Sequence, residues 1–215
     1  MYRVKGYVLG VLGTNSYIVY DEDTLDAIVV DLGDFSEELL GFIRSRKLSL
    51  LAIIATHGHF DHVYGVEKLR ATTGAKFIVH RDDIEILELN EQFCREFGIE
   101  CKYVEPDEVV VSGGVYKFGS IEVRVAHTPG HTPGSIVLYV EPLKALFTGD
   151  TIFKGSVGRT DLPGGSEEEL TKSICKIYKL FLLDARVLPG HGLHTTLRSE
   201  AKYNTYVAKA LRLCK

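Results

Sequence analysis

The chain has no tryptophan, one methionine, one glutamine and three asparagines in 215 residues. Scarcity of thermolabile side chains is a thermophile's composition, an expectation that a melting temperature checks. Cys94, Cys101, Cys175 and Cys214 form no C-x-x-C pair, so chemistry built on that pair is out. The four are read as buried or idle thiols of a reducing compartment; a Cys94–Cys101 bridge would need oxidising conditions or a hyperthermophilic source. There is no long basic block, and the net charge is −4 with both signs interspersed, which argues against nucleic acid as the main partner. The opening MYRVKGYVLGVLGTNSYIVY is too short and too broken by glycine to span a bilayer. It also lacks a signal-peptide cleavage pattern, so it is read as the first strands of a cytoplasmic protein. No G-x-S-x-G occurs, so serine-type catalysis has no support. Neither a low-complexity linker nor a short repeat divides the sequence, and its length suits one domain over 1–215.

What is present is an ordinary globular chain, 45% apolar. NSYIVY and DAIVVD read as a strand pair joined by the turn DEDT, and LLAIIA (50–55) as a buried strand. A helix is expected over 36–47 with Ser36 as its cap, another over 63–74 ending at Gly74, and a third within HRDDIEILELNEQFCREFG. VYKFGSIEVRVAH reads as a hairpin turning at Gly119-Ser120. SIVLYV, KALFTGD and ARVLPGH are further strands. SEEELTKSICKIYKLF is an amphipathic helix capped by Ser166, and 198–213 forms a closing helix. Strands cluster first and then alternate with helices, which suggests packed sheets covered by helices.

Histidine is sparse, eight residues in all, yet THGHFDH (56–62) holds three of them and an aspartate. The spacing of His57, His59, Asp61 and His62 fits neither strand alternation nor one helix face. A strand-to-helix loop is therefore expected, with successive side chains aimed at one volume. The pattern of apolar strand, turn and metal-competent side chain recurs at His131, Asp150 and His191. Glycine directly precedes the ligand at Gly130, Gly149 and Gly190, as Gly58 precedes His59, and glycine permits positive φ and close backbone approach. Sites in α/β proteins collect at the carboxyl ends of strands, so the four strand ends are expected to meet. Five histidines and two aspartates are too many for one four-coordinate ion. They suit two ions with Asp150, which has two oxygens to offer, as the bridge.

H-x-H-x-D-H followed by a distant His, Asp and His resembles the metallo-β-lactamase superfamily. FTGDTIFKGSVGRTDLPGG and PGHGLHTTLRSEAKYN are similar to the short glyoxalase II-like hydrolases; the resemblance runs from about residue 14 to residue 204. It implies an α/β (α+β) fold, a four-layer αββα sandwich with the metals at one edge of the paired sheets. It assigns His57, His59 and His131 to one metal, Asp61, His62 and His191 to a second, and Asp150 to both. The ions are expected to be two divalent metals, zinc first, with iron or manganese accepted by the same ligands. It implies that a hydroxide held between them attacks a thioester or ester carbonyl of a small anionic substrate, S-lactoylglutathione or another acyl thioester, with Asp61 and Asp150 as the catalytic carboxylates. Twenty-four residues follow His191, too few for the helical extension of glyoxalase II, so glutathione is not fixed as the carrier. Arg159 can grip a substrate carboxylate or pair with Asp161; Phe60 and Phe153 can line the pocket or be plain core.

Two rival enzymes remain. A persulfide dioxygenase shares the fold and would hold one iron on His57, His131 and Asp150; a lactonase is the second. Nucleases carry an added RNA-gripping arm, for which no large or basic insertion is present. His80, His127 and His194 are read as structural or supporting, and Asp31 as either a support for a ligand or a turn cap.

Overall fold

The computed structural model describes residues 1–111 and 113–214. The first sheet is formed by β1 (Tyr2–Leu9), β2 (Thr14–Asp21), β3 (Asp26–Val30), β4 (Ser49–Ile54), β5 (Lys76–His80) and β6 (Glu108–Val110), in that order. β1 to β3 run antiparallel, and β3 to β6 are parallel. Parallel neighbours need crossover connections. These contain α1 (Glu37–Ser45), the four-residue α2 (Phe60–Val63), α3 (Val66–Thr73) and α4 (Ile84–Glu96). The second sheet draws on β7 (Gly114–Phe118), β8 (Ile121–His127), β9 (Ile136–Val140) and β10 (Ala145–Gly149). After a small ribbon of β11 (Ile152–Phe153) and β12 (Ser156–Val157), β13 (Arg186–Pro189) and β14 (Thr195–Thr196) complete it. Its order is β14-β13-β10-β9-β8-β7, with β10 and β13 parallel. α5 (Glu167–Leu180), α6 (Leu197–Tyr203) and α7 (Thr205–Leu213) lie on its outer side.

Three apolar layers hold these elements together, and strand alternation sorts side chains among them. Ile28, Val30 and Ile54 of the first sheet meet Ile136, Leu138 and Phe147 of the second in the central layer. Ile18, Val29 and Ile53 face outward onto Leu39 and Ile43 of α1 and Leu69 of α3. Val137, Tyr139 and Leu146 face Leu170, Ile174 and Ile177 of α5 and Val207 of α7. The result is the expected αββα sandwich. Ser36 and Ser166 cap α1 and α5 as anticipated, each accepting from a backbone N–H of the first turn.

Three expectations need correction. The helix expected over 63–74 is interrupted at Tyr64-Gly65: a Cβ on Gly65 would lie 2.4 Å from the Asp34 carbonyl carbon, and its N–H bonds Leu32 O instead. The closing helix is two helices, split at buried Asn204. The Asn204 side chain caps α7 through the N–H groups of Tyr206 and Val207 and donates to Ser156 O. Finally, the cysteines are not free thiols. Cys94–Cys101 and Cys175–Cys214 are disulfides, because the fold brings their Cα atoms to 6.0 and 5.6 Å, within bridging reach.

Among the described residues no helix is long and apolar enough to cross a membrane.

Candidate metal centre

β4 ends at Ile54, β8 at His127, β10 at Gly149 and β13 at Pro189. The chain past each end delivers THGHFDH, His131, Asp150 and His191 to one edge of the sandwich. His57 and His59 lie on the loop after β4, while Asp61 and His62 sit on α2. Gly130 and Gly149 take positive φ, 139° and 47°. Gly58 and Gly190 do not; they serve close approach. A Cβ on Gly190 would stand 2.3 Å from Asp150 Oδ1 and 2.6 Å from His62 Cε1.

All seven ligand candidates converge. Their donor atoms form three groups: His57, His59 and His131; His57, His62 and Asp150; Asp61, His62 and His191. His59 Nδ1 is 3.0 Å from His131 Nε2, and His62 Nε2 is 3.4 Å from His191 Nε2. Asp150 reaches both sides, with Oδ1 3.3 Å from His62 Nε2 and Oδ2 3.6 Å from His131 Nε2. Asp61 Oδ2 is 3.1 Å from His191 Nε2. Donors bound tetrahedrally at zinc distances stand about 3.3 Å apart, so these spacings fit ions between them. The buried His57 Nε2 and Asp150 Oδ1 have no hydrogen-bond partner. Leaving such atoms unpaired is costly, and a cation would satisfy both.

The electrostatics point the same way. Burial, reinforced by neighbouring imidazoles, pushes His57 well below the usual histidine range and His59 down to about 3, so both are neutral donors. For His62 burial acts downward, but Asp31, Asp61 and Asp150 override it and hold the ring protonated well above that range. Burial would raise Asp61 and Asp150; the surrounding histidines, His62 foremost, keep both below the usual carboxylate range. Positive charge is thus favoured on the His62 side, among Asp31, Asp61 and Asp150, while His57 and His59 offer neutral nitrogen donors on the other.

A supporting ring of contacts fixes the ligands. Asp31 Oδ2 is 3.0 Å from His62 Nδ1 and accepts from Thr56 Oγ1, while Asp31 Oδ1 accepts from Thr56 N. Asp31 is therefore a support of His62, held at φ 55°. His131 Nδ1 is 2.8 Å from Arg159 O, and Thr14 donates to Asp61. Asn15 donates to Pro189 O and Gly192 O on either side of His191. Asp83, fully buried, accepts from Gly58 N, Gly134 N and Thr132 Oγ1. It thereby ties the His57–His62 loop to the His131 loop, and Asn90 Nδ2 donates to Gly58 O. Sequence reasoning missed Thr14, Asn15, Asp83 and Asn90. The one available signal was the acid pair in HRDD after a strand, which reads equally as a helix start.

Arg159 lines the cavity above the ligands, and its guanidinium is forked onto Asp161 at 2.7 Å twice. Phe60 lines the same cavity. Phe153 packs against His191 with ring centroids 6.1 Å apart. His80 and His127 stack on each other with an interplanar angle of 12° and, with Asp82, form a group apart from the seven; His127 Nε2 lies 2.7 Å from Pro133 O. His194 lies 3.3 Å from the Tyr17 hydroxyl.

A helix–sheet–sheet–helix sandwich that gathers imidazoles and carboxylates at one edge defines a metal-dependent class of enzymes. The chain belongs to the metallo-beta-lactamase superfamily, whose profile matches residues 9–191. It is 33% identical to the hydroxyacylglutathione hydrolase GloC of Haemophilus influenzae, over 90% of this chain and 92% of GloC. BLEG-1, a B3 metallo-beta-lactamase, superposes with a TM-score of 0.88 at 33% identity, covering 95% of this chain and 99% of its own. TTHA1623 in a di-iron-bound form superposes with a TM-score of 0.85 at 34% identity, covering 94% and 99%.

Proposed function

We propose that this enzyme hydrolyses acyl thioesters or esters with two divalent ions, held by His57, His59 and His131 on one side, Asp61, His62 and His191 on the other, and Asp150 between. The observation that carries this reading is the placement of Asp150, one oxygen beside His62 and the other beside His131. When bound, the ions supply a water-derived nucleophile near neutral pH and polarise the acyl oxygen. The likeness to GloC supports the thioester bond, and a di-iron relative supports iron beside zinc as an occupant.

The chain's own residues do the positioning. Asp31 orients His62 so that Nε2 faces Asp150 and His191, and the Arg159 carbonyl orients His131 so that Nε2 faces His59 and Asp150. Thr14 occupies one lone pair of Asp61, which limits how that carboxylate can turn. A thiolate is a stable enough leaving group to depart without a protein acid. Arg159, already neutralised by Asp161, would meet a carrier's carboxylate only by exchanging that partner.

The test is elemental analysis of protein purified without added metal, together with a panel of thioesters and lactones. Two bound ions and thioester turnover are expected. Lactone turnover alone would move the reading to a lactonase. One bound iron with oxygen uptake on glutathione persulfide would replace it by dioxygenase chemistry.

A further inference from the structure

The cavity that opens onto the ligands measures about 210 Å³, roughly seven times the share of one water in the liquid. Its far wall is built by one helix face: Phe93, Glu96 and Phe97, at i, i+3 and i+4 around the end of α4. Phe93 stands edge-on to His59, ring centroids 6.0 Å apart. Phe97 lies 5.3 Å from the ring of Phe60. The wall runs outward from a ligand to solvent, since Phe60 is 5% exposed and Phe97 49%. Leu12, from the turn between β1 and β2, lines the same cavity and is 41% exposed. Phe97 and Leu12 thus leave apolar surface open at the mouth of the cavity.

Charge narrows what that surface contacts. Besides Asp61 and Asp150, Glu96 is the only carboxylate among the described residues lining the cavity. Arg159 is the only basic side chain beside the histidines, and it is bound to Asp161. A second carboxylate laid along the wall, away from the ion ligands, would meet Glu96 with no unpaired basic side chain among the described lining residues to offset it.

We propose that the cavity selects a neutral, apolar acyl group, a medium-length alkyl chain or an aryl ring, lodged against Phe60, Phe93 and Phe97, with Glu96 excluding anionic acyl groups. This rests on the thioester reading above and names its substrate class. A lactoyl group is smaller and more polar than the wall provides for.

The experiment uses the metal-loaded full chain and three thioesters of one small neutral thiol, N-acetylcysteamine, so that only the acyl group varies. A fully buried methylene is worth about fourfold; along a wall half open to water, octanoyl should exceed lactoyl by about tenfold or more in kcat/KM. Succinyl should be the poorest. Phe97→Ser, at an exposed position, should bring the octanoyl-to-lactoyl ratio within about threefold of unity. Glu96→Gln should raise succinyl turnover several-fold relative to lactoyl. Equal kcat/KM for octanoyl and lactoyl overturns the acyl preference and leaves the hydrolase reading standing. Unchanged ratios in both variants overturn the assignment of the wall. No turnover of any thioester by protein holding two ions overturns both.

Discussion

The two ends of α4 serve the same site, one bracing the ligand loops and the other lining the cavity, and are built on opposite principles. At its start, Asp83 is fully buried, accepts three hydrogen bonds and locks two ligand loops together. At its end, Phe93, Glu96 and Phe97 lean on the cavity with few polar contacts, and a disulfide from Cys94 to Cys101 restrains the chain beyond them. The first region is over-determined, as a cluster of like-charged donors requires. The second is held by apolar contact and one covalent link. The ligand loops and the proposed acyl wall are thus anchored by different forces on one helix.

Substitutions can break this comparison, beginning with the most severe. Asp150→Ala should empty or weaken both ion sites and lower kcat/KM by about a thousandfold or more, read by elemental analysis beside the assay. Asp83→Ala strands three buried donors; a loss of about 3 kcal/mol would lower the melting temperature by about 6–12 °C, with reduced ion content although Asp83 touches no ion. A variant melting within 2 °C of the parent would remove Asp83 from its bracing role. His62→Ala should empty mainly the second site; retention of two ions by that variant contradicts the division of ligands.

The fourth prediction concerns pH. Carboxylates hold His62 protonated above the usual imidazole range, and an ion must displace that proton. Apparent ion affinity should therefore fall as pH drops, about tenfold per unit for each proton released. Asp31→Asn removes the largest of those attractions and should shift the fall to lower pH, as a metal titration at several pH values would show. The smallest effect belongs to the other end of the helix. Replacing Cys94 and Cys101 by serine should cost about 2.5 kcal/mol, change ion content not at all, and alter kcat/KM less than fivefold. Loss of ions from that variant would mean the two ends are not separable.

The ligands were legible because their chemistry is local: four apolar strands, each followed by a turn and a His or Asp, with glycine wherever a Cβ would collide. The sheets were legible for the same reason, except β6, β11, β12 and β14, which have two or three residues each and show no period. What escaped was pairing at a distance. Asp83 meets Gly58 and Gly134, 25 and 51 residues away, and nothing in RDD distinguishes that carboxylate from a helix cap. The Cys175–Cys214 disulfide, 39 residues apart, escaped likewise, while the Cys94–Cys101 bridge was weighed only as the alternative to idle thiols. Arg159 kept both of its readings: it is paired with Asp161 and also lines the cavity.

The Cys175–Cys214 bridge joins α5 to the chain just past α7, 39 residues on. The outer helical layer over the second sheet therefore closes into a covalent ring that includes the His191 loop. A nick anywhere between those cysteines would leave both fragments attached, so trimming of this half should show on a gel only after a reductant is added.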